Sequence, residues 1–160
     1  MSRRRRILAV ASGGGHWIQL QRLRPAWDGM DVTYVSTKPG AHLVLAKDAK
    51  ARGQPEPRFI VIPDANRWQK LRLLWLLAKL ALILLRYRPD VIVTTGAAPG
   101  YFALRLGRLM GARTIWIDSI ANAAEMSLSG RLAKPYADLW MTQWPEVAEI
   151  DGARFEGAVL

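Results

Sequence analysis

The chain has 160 residues, enough for one domain with a proper core. It contains no cysteine and two histidines, which excludes disulfides and thiolate metal sites and leaves too few imidazoles for a histidine-built metal site. The formal net charge is +10, and its placement is uneven: residues 1–25 and 63–90 hold the excess, while residues 91–160 sit at net −1. Two local basic patches of this kind point to an anionic surface as partner.

The first patch, Arg3-Arg4-Arg5-Arg6, opens the chain as a basic arm over residues 1–6. The apolar run behind it, 7–11, is shorter than the core of a signal peptide, so the arm reads as cytoplasmic, either a plain solvated tail or a lipid- or nucleic-acid-binding one. Run 7–11 predicts a short buried strand. Directly after it come Ser12, Gly13, Gly14, Gly15 and His16, then a helical pattern over about 17–25. Strand, glycine turn and helix start form a cradle for a phosphate-bearing ligand: glycines allow close backbone approach, and the free N–H groups of the first helical turn attract negative charge. His16 adds a group that takes or gives a proton near neutral pH. A dinucleotide fingerprint fails here, because Ile18 stands where its third glycine belongs and strand two ends in Ser36-Thr37-Lys38 without a carboxylate for a ribose. No Walker string occurs. A tight turn without ligand is the plain alternative.

Further strand-like runs fall at 32–36, 58–62, 91–95, 114–118 and 139–143, separated by helical stretches at about 41–52, 67–87, 99–110 and 127–135. The alternation predicts a single α/β domain: a Rossmann-like, open, doubly wound parallel sheet with helices on both faces and ligands beyond the carboxyl ends of the strands.

Residues 67–87 form the second basic patch. Leucine and alanine make a helix of about five turns the expected structure. At 100° per residue, Arg72, Lys79 and Arg86 share one narrow stripe, and nearly all the remaining circumference is apolar, more than a helix packed on one sheet face needs. Lys79 interrupts the run before it reaches the length of a spanning helix. A helix half-sunk in a membrane surface answers both facts, with Trp68, Trp75 and Leu82 in the interface and Arg72, Lys79 and Arg86 meeting anionic lipid. A core helix of a larger assembly and a protein–protein surface are the alternatives.

Strand four delivers a second glycine turn, Gly96-Ala97-Ala98-Pro99-Gly100, and strand five delivers Asp118 and Ser119, followed by Asn122 and Glu125. These ends should converge with the first loop on one crevice, where two helix starts suit a diphosphate and a carboxylate could orient His16. Taken singly, Asp118 also fits a turn or cap residue and Glu125 a solvated one.

The glycine-histidine loop, the Thr94-Thr95-Gly96-Ala97-Ala98-Pro99-Gly100 turn, and the strings Ser127-Leu128-Ser129-Gly130-Arg131-Leu132 and Tyr136-Ala137-Asp138-Leu139-Trp140-Met141-Thr142-Gln143-Trp144-Pro145-Glu146 resemble one subunit of a split glycosyltransferase, the bacterial PssD-type exopolysaccharide and capsule proteins. These are similar to the membrane-anchor subunit of the eukaryotic enzyme adding the second N-acetylglucosamine to dolichol diphosphate, and to the N-terminal half of MurG. The resemblance covers nearly the whole chain. It implies residues 1–160 as the acceptor-side half of a GT-B enzyme, active only with a PssE-like donor-binding partner that holds the UDP-sugar, UDP-glucuronate among the candidates. It also implies transfer with inversion, usually without metal, to a polyprenyl-diphosphate-linked acceptor at the cytoplasmic face of the inner membrane. Carried over by motif, Gly13, Gly14 and Gly15 face the acceptor diphosphate, and the crevice reading adds Ser12, Gly96, Pro99, Gly100, Ser119 and Asn122 as diphosphate-binding candidates. His16 is the candidate base, with Asp118 and Glu125 as further catalytic candidates. Eukaryotic members carry an N-terminal spanning helix that the Arg-rich arm replaces here, so anchoring falls to residues 67–86.

Two other classes stand beside this one. A basic, non-enzymatic module for membrane or nucleic acid would draw on the high charge and seven tryptophans, but Trp116 and Trp140 fall in expected buried strands and not among exposed basic residues, which argues against nucleic acid. A self-contained phosphosugar enzyme would need donor-binding residues within this chain, and none is identifiable.

Overall fold

The computed structural model describes residues 4–65 and 68–159. Among the described residues, seven strands form one parallel sheet: β1 (Arg6–Ala11), β2 (Asp31–Ser36), β3 (Arg58–Val61), β4 (Val91–Thr94), β5 (Arg113–Ile117), β6 (Leu139–Thr142) and β7 (Arg154–Phe155), in the spatial order 3-2-1-4-5-6-7. Six helices connect them: α1 (Gly15–Arg22), α2 (Ala41–Ala51), α3 (Lys70–Tyr87), α4 (Ala97–Leu109), α5 (Leu128–Ala133) and α6 (Pro145–Asp151). The expected architecture is present, with helices on both faces.

Side-chain alternation along β1 divides the core. Leu8 and Val10 face a cluster with Leu76, Leu80 and Leu84 of α3, Leu104 of α4, Ala133 of α5 and Val147 of α6. Ile7, Ala9 and Ala11 face the other way, against Trp17 and Leu20 of α1 and Leu45 of α2. An all-parallel sheet needs apolar residues on both faces of its central strands, and β1 supplies them with five successive buried residues. Trp116 and Trp140 lie inside this core, at 0% and 9% exposure, so they offer no stacking surface to a nucleic acid.

The expected helix at 17–25 begins two residues earlier, at Gly15, and ends at Arg22, because Pro25 redirects the chain into a separate 3-10 turn, Arg24–Trp27. The helix expected over 67–87 is described from Lys70; Arg67, like Arg3 of the arm, lies outside the described residues. It ends where Arg88 takes a left-handed φ of 43° ahead of Pro89. Helix α6 and strand β7 were not expected. The first is a seven-residue segment started by Pro145, and the second a two-residue pair held to Met141 and Thr142 of β6, both too short to generate a period.

Strand order fixes the site. From β1 the chain winds outward to β2 and β3, then crosses back to β4 on the other side of β1 and continues to β7. Val10 pairs with Thr94, so the carboxyl ends of β1 and β4 stand level. The crevice at such a reversal is where open parallel sheets bind ligands.

Candidate functional site

The two glycine turns meet at this reversal. Gly14 has φ 78° and caps α1, and the first helical hydrogen bond there runs from Ile18 N–H to Gly14 C=O at 3.1 Å. The N–H groups of Gly15, His16 and Trp17 therefore have no acceptor within the helix, and Gly14 and Gly15 are exposed. The N–H of Gly13 is used internally, donating to Thr37 Oγ1 at 2.9 Å. Ser12 is half-buried at the end of β1, and exposed Lys38 flanks the loop, its Cβ 3.4 Å from where a Cβ on Gly13 would stand.

His16 is clasped twice to the end of β4. Its Nδ1 lies 2.8 Å from the Thr95 carbonyl oxygen, and Thr95 Oγ1 donates to the His16 carbonyl at 2.6 Å. A carbonyl only accepts, so Nδ1 carries the ring proton and Nε2 carries the lone pair. This is the tautomer a general base requires. Gly96 makes room for the ring: a Cβ there would stand 2.7 Å from Nδ1 and 2.8 Å from Cε1.

The second turn is less of a cradle than its sequence implies. The N–H of Gly96 donates to Thr94 Oγ1 at 3.1 Å and is thereby used within the turn. Gly100 is a packing glycine, since a Cβ would fall 2.0 Å from Thr94 Oγ1, and Pro99 is buried in the first turn of α4.

The strand-five loop contains a carboxylate that is fully occupied. Asp118 is 1% exposed. Its Oδ1 accepts from Trp116 Nε1 at 3.0 Å and Ser127 Oγ at 2.6 Å, and its Oδ2 accepts from Asn122 Nδ2 at 3.0 Å and Ser127 N–H at 2.8 Å. Four donors exhaust its accepting directions, and the imidazole is not among them. The expectation that a carboxylate orients His16 is corrected: the Thr95 carbonyl does so, and Asp118 instead ties the strand-five loop to the start of α5. Gly130 permits that closure, because a Cβ would meet Asp118 Oδ1 at 2.8 Å. Glu125 is exposed and pairs with Arg131 at 2.7 Å, away from this network. Asn122 is engaged with Asp118, and Ser119 Oγ accepts from Gln19 at 3.1 Å.

Three residues singled out by the structure were not among the expected site residues: Thr95, Gln19 and Gln143. Gln19, 5% exposed, donates to Gly15 C=O and Ser119 Oγ and accepts from Ile120 N–H and Gln143 Nε2. Gln143 also donates to the Asp118 carbonyl and accepts from Val159 N–H. One buried amide pair thus locks the glycine loop to the ends of β5 and β6. A signal existed for Gln19, a polar residue beside Leu20 on the inward face of α1.

Helix α3 is buried through Leu76, Leu80, Ile83 and Leu84. Its outer side leaves Leu71, Leu74, Trp75, Leu82 and Leu85 between 58% and 85% exposed, with Trp68 just ahead of it also exposed. At 100° per residue these side chains form one arc, bordered by Arg72 and Arg86. Lys79 is corrected out of that free border: its Nζ donates to the Val61 carbonyl at 2.6 Å, holding α3 to the end of β3. No helix among the described residues is long and apolar enough to cross a membrane.

Solved structures with this fold include MurG from Acinetobacter baumannii (TM-score 0.70, 14% identity, covering 89% of this chain and 43% of that one) and the UDP-GlcNAc 2-epimerase of Neisseria meningitidis bound to UDP-GlcNAc (TM-score 0.63, 11% identity, 90% and 42%). The fold is thus that of one half of a GT-B protein. Among curated proteins, the chain is similar to the UDP-N-acetylglucosamine transferase subunit ALG14 of Candida albicans, 28% identical over 150 residues that cover 84% of this chain and 68% of the relative. It is also similar to the subunit of the same name from Yarrowia lipolytica, 36% identical over 70 residues, where the match spans about a third of the relative's length (32%) and 40% of this chain. The family described as "Oligosaccharide biosynthesis protein Alg14 like" matches residues 68–159, more than half of the sequence, and on that match the chain belongs to the Alg14-like family.

Proposed function

We propose that this protein is the acceptor-side, membrane-docked subunit of a two-component inverting glycosyltransferase of the PssD type, acting on a polyprenyl-diphosphate-linked acceptor at the cytoplasmic face of the inner membrane. The observation that carries this reading is the clasp of His16 by Thr95, which leaves Nε2 as a base at the mouth of a crevice flanked by unsatisfied helix-start amides. A separate PssE-like chain is the source of the UDP-sugar. UDP-N-acetylglucosamine is the first donor to test, because the curated relatives are named for its transfer, and UDP-glucuronate the second.

In this mechanism the acceptor's lipid tail stays in the bilayer touched by the outer arc of α3. Its diphosphate meets the N–H groups of Gly15, His16 and Trp17, with the Lys38 ammonium as counter-charge. The acceptor hydroxyl donates to His16 Nε2. As that oxygen attacks the anomeric carbon, Nε2 takes the proton, the bond from the anomeric carbon to the UDP oxygen breaks, and UDP departs with the electron pair. The imidazolium that forms is held by the Thr95 carbonyl. Asp118 acts by position alone, keeping the strand-five loop closed.

The test is sugar transfer from labelled UDP-sugars to a short polyprenyl-diphosphate acceptor, with and without the partner chain. Transfer should require both chains and should fall by about 10²–10⁴-fold in His16→Ala. Transfer by this chain alone, or undiminished transfer by the variant with its partner, refutes the respective half of the proposal.

A further inference from the structure

On the α1–α2 face of the sheet, toward its amino-terminal edge, a hollow of about 450 Å³ opens between the 3-10 turn Arg24–Trp27 and the second half of α2. That volume lies within the ~300–1,000 Å³ of small-molecule sites. The hollow is separate from the crevice at the glycine loop. The six-residue strand β1, about 20 Å at ~3.3 Å per residue, spans the distance between the two edges.

One side of the hollow is apolar, formed by Trp27, Leu45 and Ala49, all nearly buried. Tyr34 of β2, 3% exposed, lines it from the sheet, and its hydroxyl oxygen accepts from Trp27 Nε1 at 2.8 Å. The hydroxyl proton has no acceptor among the described residues. Burial raises the Tyr34 hydroxyl above its ordinary value, against the Trp27 bond and the charges of Arg24 and Arg52, so the proton stays in place at neutral pH. A buried donor without an acceptor is costly, and a ligand oxygen in the hollow would satisfy it.

Charge at the rim is balanced. Arg24 bonds Asp48 at 3.1 Å, and Arg52 bonds Asp48 at 2.8 Å and also pairs with Asp28. Two guanidiniums are thus held by two carboxylates, which leaves this pair of cations committed within the protein. The carboxylates still have accepting capacity, because each oxygen takes two hydrogen bonds. Asp48 accepts one at each oxygen, and Asp28 Oδ2 has no donor among the described residues.

A ligand here must accept a hydrogen bond from Tyr34 and donate others to Asp28 and Asp48. An ionised phosphate or carboxylate is repelled by both carboxylates. An ammonium group donates to them but offers Tyr34 no lone pair. Hydroxyl groups do both, and the C–H face of a sugar ring suits the apolar side. We propose that this hollow binds a neutral saccharide unit. Its assignment to the glycan part of the acceptor, away from the unit that meets His16, rests on the glycosyltransferase reading; the binding itself does not.

The experiment is titration of the full chain with glucose, galactose and N-acetylglucosamine, followed in proton–nitrogen correlation spectra. A ligand on the Tyr34 hydroxyl polarises the bond from Trp27, so the Trp27 indole signal should shift and saturate with at least one sugar. Trp140, whose Nε1 donates to the Gly130 carbonyl at 2.8 Å, should stay fixed. Tyr34→Phe removes only the hydroxyl and should raise the Kd, read at the Ala49 amide, by about fivefold or more. Asp28→Asn, at the exposed rim, should raise it by roughly twofold or more and carries the comparison if Tyr34→Phe fails to fold. No saturable shift with any of the three sugars overturns the site, as does undiminished binding by the folded variants. An equal Trp27 shift with inorganic phosphate or ethylammonium overturns the saccharide assignment. Loss of the titration leaves sugar transfer through His16 standing, and absence of transfer with the titration intact removes only the assignment to the acceptor glycan.

Discussion

Gly96 is the residue on which the placement of the His16 ring turns, and Gly96→Ala is the most direct perturbation of it. Two penalties add. The backbone at Gly96 has φ 129° and ψ −170°, a region that side chains adopt at a cost of about 1–3 kcal/mol. The new methyl would stand 2.7 Å from His16 Nδ1, so the ring has to swing and release its 2.8 Å bond to Thr95, a further ~1 kcal/mol. The sum is about 2–4 kcal/mol, or roughly 4–16 °C in Tm at ~2–4 °C per kcal/mol for a chain of this size. Gly111→Ala is the matched control: φ is 82°, nothing lies within 4 Å of the added carbon, and only the backbone cost of ~1–2 kcal/mol applies. The assay is denaturant unfolding of both variants, paired with nitrogen chemical shifts of the His16 ring, using His42 as internal reference. The wild type should report a proton on Nδ1, and Gly96→Ala a shift of that proton toward Nε2. The reasoning is refuted if Gly96→Ala is no less stable than Gly111→Ala and the His16 ring nitrogens are unchanged.

Other outcomes follow from the same contacts. Asp118→Asn sets an NH₂ group against donors that now point at a carboxylate oxygen, and should destabilise by about 2–4 kcal/mol in denaturant unfolding; a change below ~0.5 kcal/mol would show that the carboxylate is not the tie it is taken for. For Asp138, burial alone would raise the carboxyl, but the bond from Arg108 and those from the Thr114 N–H and hydroxyl outweigh it and hold the group below the usual carboxylate range. Its stabilisation is therefore present above the unfolded value of about 4 and is lost as pH falls through its lower folded value. The stability gap between wild type and Asp138→Asn should accordingly narrow on acidification, and a gap independent of pH would contradict this. Replacing Trp75 and Leu82 together by Gln should leave stability within ~0.5 kcal/mol, since both are at least 60% exposed, yet reduce flotation with vesicles by about tenfold or more. Unchanged flotation would assign the outer arc of α3 to something other than lipid.

The sheet, the glycine-histidine loop and the long leucine-rich helix were legible because each depends on local pattern. Run 7–11 is apolar at every position, as a central parallel strand must be, and three glycines with one histidine need no tertiary knowledge to be noticed. What each polar residue does in the crevice was not legible, because that depends on which donors surround it. Asp118 and His16 have equal claims on catalysis when read as letters. Only the packing of Trp116, Asn122 and Ser127 around one, and of Thr95 against the other, separates a closed carboxylate from an open imidazole. Lys79 shows the same limit: its spacing puts it on the basic stripe, but its length lets it return to the Val61 carbonyl. Gly100 reads as part of a phosphate turn by motif, while its contact with Thr94 makes it a packing glycine.

The placement of α3 relative to the crevice unites these features. The helix returns the chain from β3 to β4 and so runs antiparallel to the strands, with its first turns toward their carboxyl ends, the edge that carries Gly14, Gly15 and His16. Lys79, bonded to the carbonyl of the last residue of β3, marks the level of that edge on the helix. The nine residues of α3 that precede Lys79 extend by about 13 Å, at ~1.5 Å per residue, and carry Leu71, Leu74 and Trp75 exposed. A bilayer meeting that outer arc thus approaches the molecule at the edge where the glycine loop opens. A lipid-linked diphosphate would then sit within reach of the loop without leaving the headgroup layer. The basic residues bordering the arc would orient the protein on the leaflet, and the sugar beyond the diphosphate would extend toward Nε2 of His16. On the proposed reading, the order of elements along the chain, strand then glycine loop at β1 and strand then long amphipathic helix after β3, would bring His16 and the exposed outer arc of α3 to one edge of the sheet.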